Sequence, residues 1–443
     1  MSLSLSKSTQ FTINELSIVT KAGPIDISVI YEEINLFDSL FLPVMSGNIL
    51  INDSVGLSSM MLFDGSESIL IDISKSAGSD IAAFKKAFRI YKQSDRKADG
   101  LNNEKYLLHF CSDELMFSDT QKINQSYDET YGRIIEKILE DYLKVPSGEA
   151  GGIFEDTIGI RNVVIPNLSP IDAVQWVTKR CLDDNQAPNY VFFQNLAGFN
   201  FASLSKLLTQ DEILDITFEL KNQSKGGPWK EIGAARAFEV VKQSDSISKQ
   251  RSGVNAGQFI GFDPLTRTTA KKQISYGDVY STMENANPNP NTSEITGRDG
   301  VKSTEAYESK KTMSLFNTAQ QFSNYIKQKA PEMLSKLENQ ENWVFQRKSI
   351  VENLMAKRLK VVMPGNFQLT SGFNVYINAP VLGKKFGGDD NEDKSLTGKY
   401  LIVASRQIIG YEKHETIIEV ATTSSETPVL TSSAEQLQEL MEF

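Results

Sequence analysis

Two histidines, His109 and His414, and two cysteines, Cys111 and Cys181, are the whole stock of imidazole and thiol in 443 residues. Imidazole is the side chain that most readily moves a proton near neutral pH, so this stock leaves few ways to build a general acid–base site. His109 and Cys111 lie two apart on a segment with strand character, which puts both on one face and within reach of a shared metal. Two ligands do not complete a site, and no other His or nearby Cys supplies the rest. The pair reads as part of a packed or rim strand, and both cysteines read as small buried hydrophobes, not as a disulfide framework. The run Asp389-Asp-Asn-Glu-Asp393 begins like a calcium loop, but Lys394 stands where the turn needs Gly and Tyr400 where a bidentate Glu is needed. It reads as an exposed acidic hairpin loop. Thr397-Gly398-Lys399 falls short of a phosphate loop, because Asp393 holds the earlier glycine position and Tyr400 the hydroxyl position. No Gly-x-Ser-x-Gly elbow and no His-Glu-x-x-His helix is present. Carboxylate pairs arise by chance among 56 acidic residues, and no spacing singles one out. We therefore expect no catalytic residue, no metal site and no cofactor.

The spacing of apolar residues names the elements that must carry these side chains. Short Ile-rich runs at Asn48–Asn52 and Ser68–Ile73 are bounded by Gly47, Asp53, Gly65 and Gly78, which is strand-and-turn punctuation. Lys86–Lys92 and Lys105–Cys111 add two more strands. Five or six strands in about 110 residues predict a small barrel or sandwich. The period changes at Ser126. Tyr131, Ile134, Ile135, Ile138, Leu139 and Tyr142 recur at helical steps, and Ser126 with Glu129 forms a capping-box pattern ahead of them. A second helix is predicted from Ser169, with Pro170 and Asp172 suited to its first turn, through Trp176 to about Leu182. Tyr190–Gln194 and Phe199–Ala202 flank Gly198 and read as a hairpin. Residues from about 119 to 210 thus form an α/β unit.

Strand character returns at Leu214–Leu220 and Ala237–Val241. The stretch Asn285–Lys311, with Pro288 and Pro290 among asparagines, has almost no apolar anchors and predicts a mobile loop. Helical patterns follow near Phe316–Leu337, interrupted by Pro331, and near Trp343–Arg358. From Leu359 strands resume at Leu359–Met363, Phe373–Ile377, Tyr400–Ala404 and Thr416–Val420. Val44-Met-Ser-Gly-Asn48 echoes Val362-Met-Pro-Gly-Asn366, each read as a strand running into a turn. The tail Ser432–Phe443 offers a short amphipathic helix through Leu437, Leu440 and Met441.

A chain of this length exceeds a single core, so two to four domains are expected. Hydrophobic residues at 40% and charged residues at 23% are globular values, which excludes disorder of the whole. The formal charge of −10 argues against a chain that holds nucleic acid by its phosphates. Neither a signal peptide at Met1–Lys7 nor a membrane-length apolar segment is evident, so synthesis in the cytoplasm without direct membrane insertion is expected.

At three places the sequence resembles the baseplate hub proteins of contractile phage tails, relatives of the hub part of type VI secretion spikes. The first block is Ile34-Asn-Leu-Phe-Asp-Ser-Leu-Phe41 with Pro43-Val-Met-Ser-Gly-Asn-Ile-Leu-Ile-Asn-Asp-Ser54. The second is Pro166-Asn-Leu-Ser-Pro170, Ala173, Trp176, Tyr190-Val-Phe-Phe193, Gly198, Phe199, Phe201, Ser203, Leu204 and Leu207. The third is Pro364-Gly365, Gly372, Pro380 and Leu396-Thr-Gly-Lys-Tyr-Leu-Ile402. In many relatives a histidine closely follows the Gly-Lys-Tyr block, whereas here Arg406-Gln407 stands there and His414 comes later.

The resemblance implies a mainly β fold with α+β insertions, in which two tube-like β-barrel modules flank a mixed α/β middle region. The expected units are a first barrel at 1–118, a middle domain at 119–210 continued at 243–344, a second barrel from 211–242 and 345–421, and a tail at 422–443. It implies a homotrimer that adapts a hexameric tail tube protein to a trimeric spike protein among other baseplate proteins, with DNA only as passing cargo, in the virion. It implies no enzyme. The rival readings are a phage-associated hydrolase of cell-wall or surface polysaccharide using paired carboxylates, and a carbohydrate-binding β protein without catalysis.

Overall fold

The structure, a computed structural model, describes residues 11–61, 63–75, 84–100, 102–145, 152–218, 233–263, 268–290, 300, 302–315, 343–379, 393–411 and 413–426. The first strands are β1 (Phe11–Thr20), β2 (Gly23–Asp26), β3 (Tyr31–Ser39), β4 (Ser46–Asp53), β5 (Ser68–Lys75), β6 (Phe84–Ala98) and β7 (Glu104–Cys111), with the short helix α1 (Leu57–Met60) after β4. They pair in the order β3-β4-β7-β6-β5-β1-β2, every pair antiparallel. Alternate side chains explain the register: Ile49 and Ile51, Ile69, Ile71 and Ile73, and Tyr106, Leu108 and Phe110 are fully buried in one core. A one-residue slip would turn each set to the other face. The four short strands read from the sequence all lie within β4 to β7.

A mixed unit follows: α2 (Asp113–Asp119), β8 (Ser126–Glu129), α3 (Tyr131–Leu143), β9 (Arg161–Val164), α4 (Pro170–Thr178), β10 (Tyr190–Asn195), β11 (Gly198–Ser203) and α5 (Leu204–Thr209). Two expectations are corrected here. Ser126 and Glu129 do not form a capping box: they belong to β8, paired with β9, and Thr130 caps α3 by accepting from the Arg133 N–H at 3.3 Å. Helix α4 stops at Thr178, short of Leu182, because Arg180 folds back. Its guanidinium donates to the Trp176 carbonyl at 2.7 Å and stacks 3.6 Å from the Trp176 ring, satisfying a carbonyl that a longer helix would have used.

The remaining elements are β12 (Glu212–Phe218), β13 (Ala234–Ala235), β14 (Ala237–Lys242), α6 (Ser246–Ser252), β15 (Ala256–Asp263), β16 (Thr268–Ser275), α7 (Tyr276–Ser281), β17 (Asn289–Pro290), β18 (Lys311–Leu315), α8 (Val344–Leu354), β19 (Arg358–Pro364), β20 (Asn374–Asn378), β21 (Gly398–Gly410), β22 (His414–Ala421) and β23 (Ser424–Ser425). Strand order β13-β12-β20-β21 continues directly into β3, while β22, β19 and β14 branch from β21. Among the described residues one 14-stranded sheet therefore joins the early strands to the late ones. The fold is mostly β. A separate core of Leu359, Val361, Met363, Val375, Ile377, Ile418 and Val420 fills the second half.

Three further readings change. The last helical pattern ends at Leu354, not Arg358, since Arg358 already pairs with Ala421 in the sheet. The polar stretch expected to be loose is held at its start, where Asn287 is buried, donates to the Lys399 carbonyl at 3.1 Å and receives the Lys399 N–H at 3.2 Å. The echo pair differs in polarity: Val44–Asn48 enters β4, while Val362–Asn366 leaves β19. Its two glycines nonetheless do one job, each lying under a ring. The 316–337 pattern, Pro380 and the tail helix fall outside the described residues.

A Cβ at Gly365 would lie 2.1 Å from the His414 ring, and one at Gly47 would lie 2.4 Å from the Phe110 ring and 2.5 Å from the Asn35 carbonyl oxygen. Gly365→Ala and Gly47→Ala should each cost about 1–3 kcal/mol by overpacking. Thermal unfolding checks it: both midpoints fall. Asn287→Ala should release residues 285–290, seen as faster hydrogen exchange confined to that stretch and its partners, at a cost of about 1–3 kcal/mol.

Candidate functional site

The residues with chemical potential are scattered. His109 lies on β7 with its Nε2 2.9 Å from Ser94 Oγ, and Ser94 also meets Asp95 Oδ2 at 3.0 Å. This is not a triad arrangement, because imidazole and carboxylate converge on one hydroxyl and the carboxylate does not orient the imidazole. Burial, with Lys92 nearby, pushes the His109 pKa down. Cys111 is buried at the end of the same strand, and burial pushes its thiol up to about 11, which suppresses the reactive thiolate. Cys181 is fully buried and shifted in the same direction for the same reason.

His414 is sealed in the interior, bonded through Nε2 to Gln407 Oε1 at 3.0 Å and set against the rings of Phe367 and Phe11. Lys399 pairs with Glu212 at 3.2 Å and cradles no phosphate loop. Of the acidic run, Asp393 is described, and its carboxylate accepts from Ser395 in a turn; Asp389 to Glu392 lie outside the described residues. No group of three or more His, Cys, Asp or Glu stands close enough to hold a metal among the described residues.

What the fold does bring together is a seam. Strands β3 and β21 pair from Ser39↔Ala404 to Glu33↔Gly410. On one face Arg406 Nε donates to Asn35 Oδ1 at 2.9 Å, its guanidinium lies over the Phe37 ring, and Glu33 is 3.7 Å away. On the other face Asp38 is buried. Its carboxyl accepts from the Ser371 N–H at 2.7 Å and from the hydroxyls of Thr370 and Ser405. Ser371 and Thr370 belong to the 366–372 loop between β19 and β20, and the β10–β11 hairpin grips that loop as well. Asn195 Nδ2 donates to the Ser371 carbonyl at 2.8 Å, and Phe193 fills the space beside Gly372, whose φ of +92° admits little but glycine. From the same loop Phe367 reaches into the first core and stacks on Phe84 at 5.9 Å.

No family model matches the sequence, and no curated protein matches it by sequence. Solved structures do match by shape. A tail protein from Neisseria meningitidis superposes with a TM-score of 0.52 at 9% identity, over 95% of this chain and 100% of that one. The 43 kDa tail protein of prophage MuSo2 from Shewanella oneidensis gives 0.51 at 9% identity, over 92% and 98%. The chain has the fold of these tail proteins.

In this tail-protein fold the two ends of the sheet differ. At the end where β3 finishes, the mixed unit is docked: Gln194 Oε1 accepts from the Met45 N–H at 2.9 Å and the Ser112 hydroxyl at 2.6 Å. The opposite end, where β3 starts and β4 and β21 finish, carries Val29, Val55, Met60 and Tyr411, exposed by 84%, 66%, 69% and 74%. Strands β2 and β14 each have one partner among the described residues, which leaves their outer edges without a described neighbour. No described helix is long and apolar enough to cross a membrane.

Sequence reasoning missed the seam, although a signal was present. Asp38 falls in step with the inward residues Ile34, Leu36 and Leu40, and an acid at an inward position of an alternating strand marks a buried contact. Asp38→Ala should leave the Ser371 N–H and two hydroxyls without their acceptor and cost about 1–3 kcal/mol or more. Urea unfolding of the variant checks the loss, with Lys122→Ala at an exposed position as a near-neutral comparison.

Proposed function

We propose that this chain is the structural hub of a contractile-tail baseplate, a homotrimer that adapts a hexameric tail tube to a trimeric central spike and leaves a channel for DNA. The observation that carries the reading is the β3–β21 pairing, which sets two sheet halves side by side in one chain. Three chains would then present six similar units around one axis.

On this reading each half is a barrel module. In the second half β13 lies parallel on β12, and β14, starting after Arg236 alone, lies antiparallel on β19, so the bent segment bridges the two flanks of the sheet. In the first half the Ile27 N–H bonds to the Leu16 carbonyl and the Asn52 N–H to the Ile30 carbonyl, so the 27–30 connection extends the β1–β2 and β3–β4 pairings. On this reading residues 1–118 form the first barrel, 211–242 with 345–421 the second, 119–210 with 243–344 the middle domain, and 422–443 a C-terminal tail. The apolar rim of Val29, Val55, Met60 and Tyr411 faces the next ring of the tail, and the edges of β2 and β14 face neighbouring chains. The protein works in the virion, without enzymatic activity.

Light scattering over a dilution series, with class averages from micrographs, tests the assembly. A closed trimer with threefold rings is expected, burying more than roughly 2,000 Å² for each pair of subunits. A stable monomer in the presence of its spike, or a twofold dimer, overturns it. Peptidoglycan and bacterial surface polysaccharides should be left intact with or without divalent ions; turnover abolished by replacing one or two carboxylates would replace the hub reading with a hydrolase.

A further inference from the structure

Asp38 is not needed to describe the assembly, yet it sits where β3, β21, the 366–372 loop and the β10–β11 hairpin converge. Among the described residues its surroundings are neutral on every side. From β3, Leu36 and Leu40 share its face and are buried. From β21 come Ser405 and Gln407, the latter turned to the carbonyls of Asn366 and Leu369. The loop supplies the Thr370 hydroxyl and the Ser371 N–H, and the hairpin spends Asn195 and the Leu196 N–H on the loop. The charged groups of the seam, Arg406 and Glu33, occupy its other face, where Arg406 is engaged with Asn35 and Phe37. His414 meets this region at the Phe367 ring of the loop and, through its Nε2, at Gln407.

The donors do not commit the carboxyl to its charged form. A hydroxyl donates to a carboxylate and can turn to accept from a carboxylic acid, so Thr370 and Ser405 can bond either state, though more strongly the anion. The Ser371 N–H favours the anion as well. Against these bonds stands complete burial with no cation beside the group among the described residues, which penalises the anion alone.

We propose that Asp38 is a proton-operated latch: with its proton it holds the two sheet halves, the 366–372 loop and the hairpin in one tight register, and without it this contact loosens. Burial pushes the carboxyl above its ordinary value of 3.8, opposed by the bonds from Ser405, Thr370 and Ser371. The folded chain therefore keeps the proton to higher pH than the unfolded chain. The stability from this group is fully present below the ordinary value and is lost as pH rises through the folded one. Mild acid tightens the seam.

Asp38→Asn tests the latch, since its amide keeps the shape and a donor toward Ser405 but cannot ionise. Hydrogen exchange of the 366–372 peptide is compared in the full-length wild type and the variant at matched pH, from about pH 4 to about pH 8. Intrinsic exchange and any contribution of His414 are common to both and cancel. The wild type should exchange like the variant in acid and progressively faster than it as pH rises, by up to about tenfold for each unit by which the carboxyl is raised. A ratio constant over the range overturns the proposal. Ser405→Ala provides a second arm that does not depend on the Asn variant folding: it keeps the carboxyl and removes one bond favouring the anion, so loosening should begin at higher pH than in the wild type. No movement, or movement to lower pH, overturns the proposal as well.

Discussion

A loop of polar backbone cannot be buried between three packed units unless each of its donors and acceptors finds a partner, and the 366–372 loop is held to that condition. Asp38 takes the Ser371 N–H, Asn195 takes the Ser371 carbonyl, Gln407 takes the carbonyls of Asn366 and Leu369, and Thr416 takes the Asn366 N–H. These partners come from the first sheet half, the hairpin and the second half. Once the loop is satisfied, the three units have no freedom to slide. The direct seam between β3 and β21 then continues the register from one half to the other, and Phe367 extends the loop into the first core.

The two halves nevertheless keep separate apolar cores, one centred on Ile49, Ile69, Phe88 and Phe110 and the other on Val361, Met363, Ile377 and Ile418. The mixed unit has its own, around Ile134, Ile138, Val174 and Phe201, and a fourth cluster under Leu204, Phe345 and Leu401 joins it to the second half. Burial of apolar area stabilises each core without regard to direction. Orientation comes from the directional bonds between cores, which is why buried polar residues concentrate at the junctions. Asn374 is one example: its amide donates to the carbonyls of Leu207, Leu208 and Gln210 at the end of α5 and fixes β20 beneath it. Arg347 is another, donating to the Tyr190 carbonyl at 2.7 Å from α8.

Much of this was legible in the sequence, where each element buries a regular face. Alternation exposed β4 to β7, and the three- and four-residue steps exposed α3, because both periods are local. Element ends were less legible, since they are set by partners distant in sequence. Pairing of Ser126–Glu129 with β9 displaced the capping box onto Thr130, and pairing of Arg358 with Ala421 cut α8 short. Strand β21 runs from Gly398 to Gly410, well beyond the Tyr400–Ala404 run, because β3 and β22 flank its polar second part. Gln407 and His414, seven apart in sequence, stand in adjacent strands and bond to each other, a contact that local periodicity does not announce. Asn287 could not be found this way, because an asparagine among prolines looks the same whether its amide meets water or the Lys399 backbone.

The β3–β21 pairing also decides how the chain answers force. The strands are antiparallel and joined over a continuous run from Ser39 to Glu33. Tension along the strands stretches every rung of that run together, so the load is shared and failure requires many bonds to give way at once. Tension across the strands opens the run from one end, a rung at a time. The two halves are thus coupled like a lap joint, stiff along one direction and peelable along another, and the side chains of Asp38 near one end and Tyr31 near the other stand where peeling would begin.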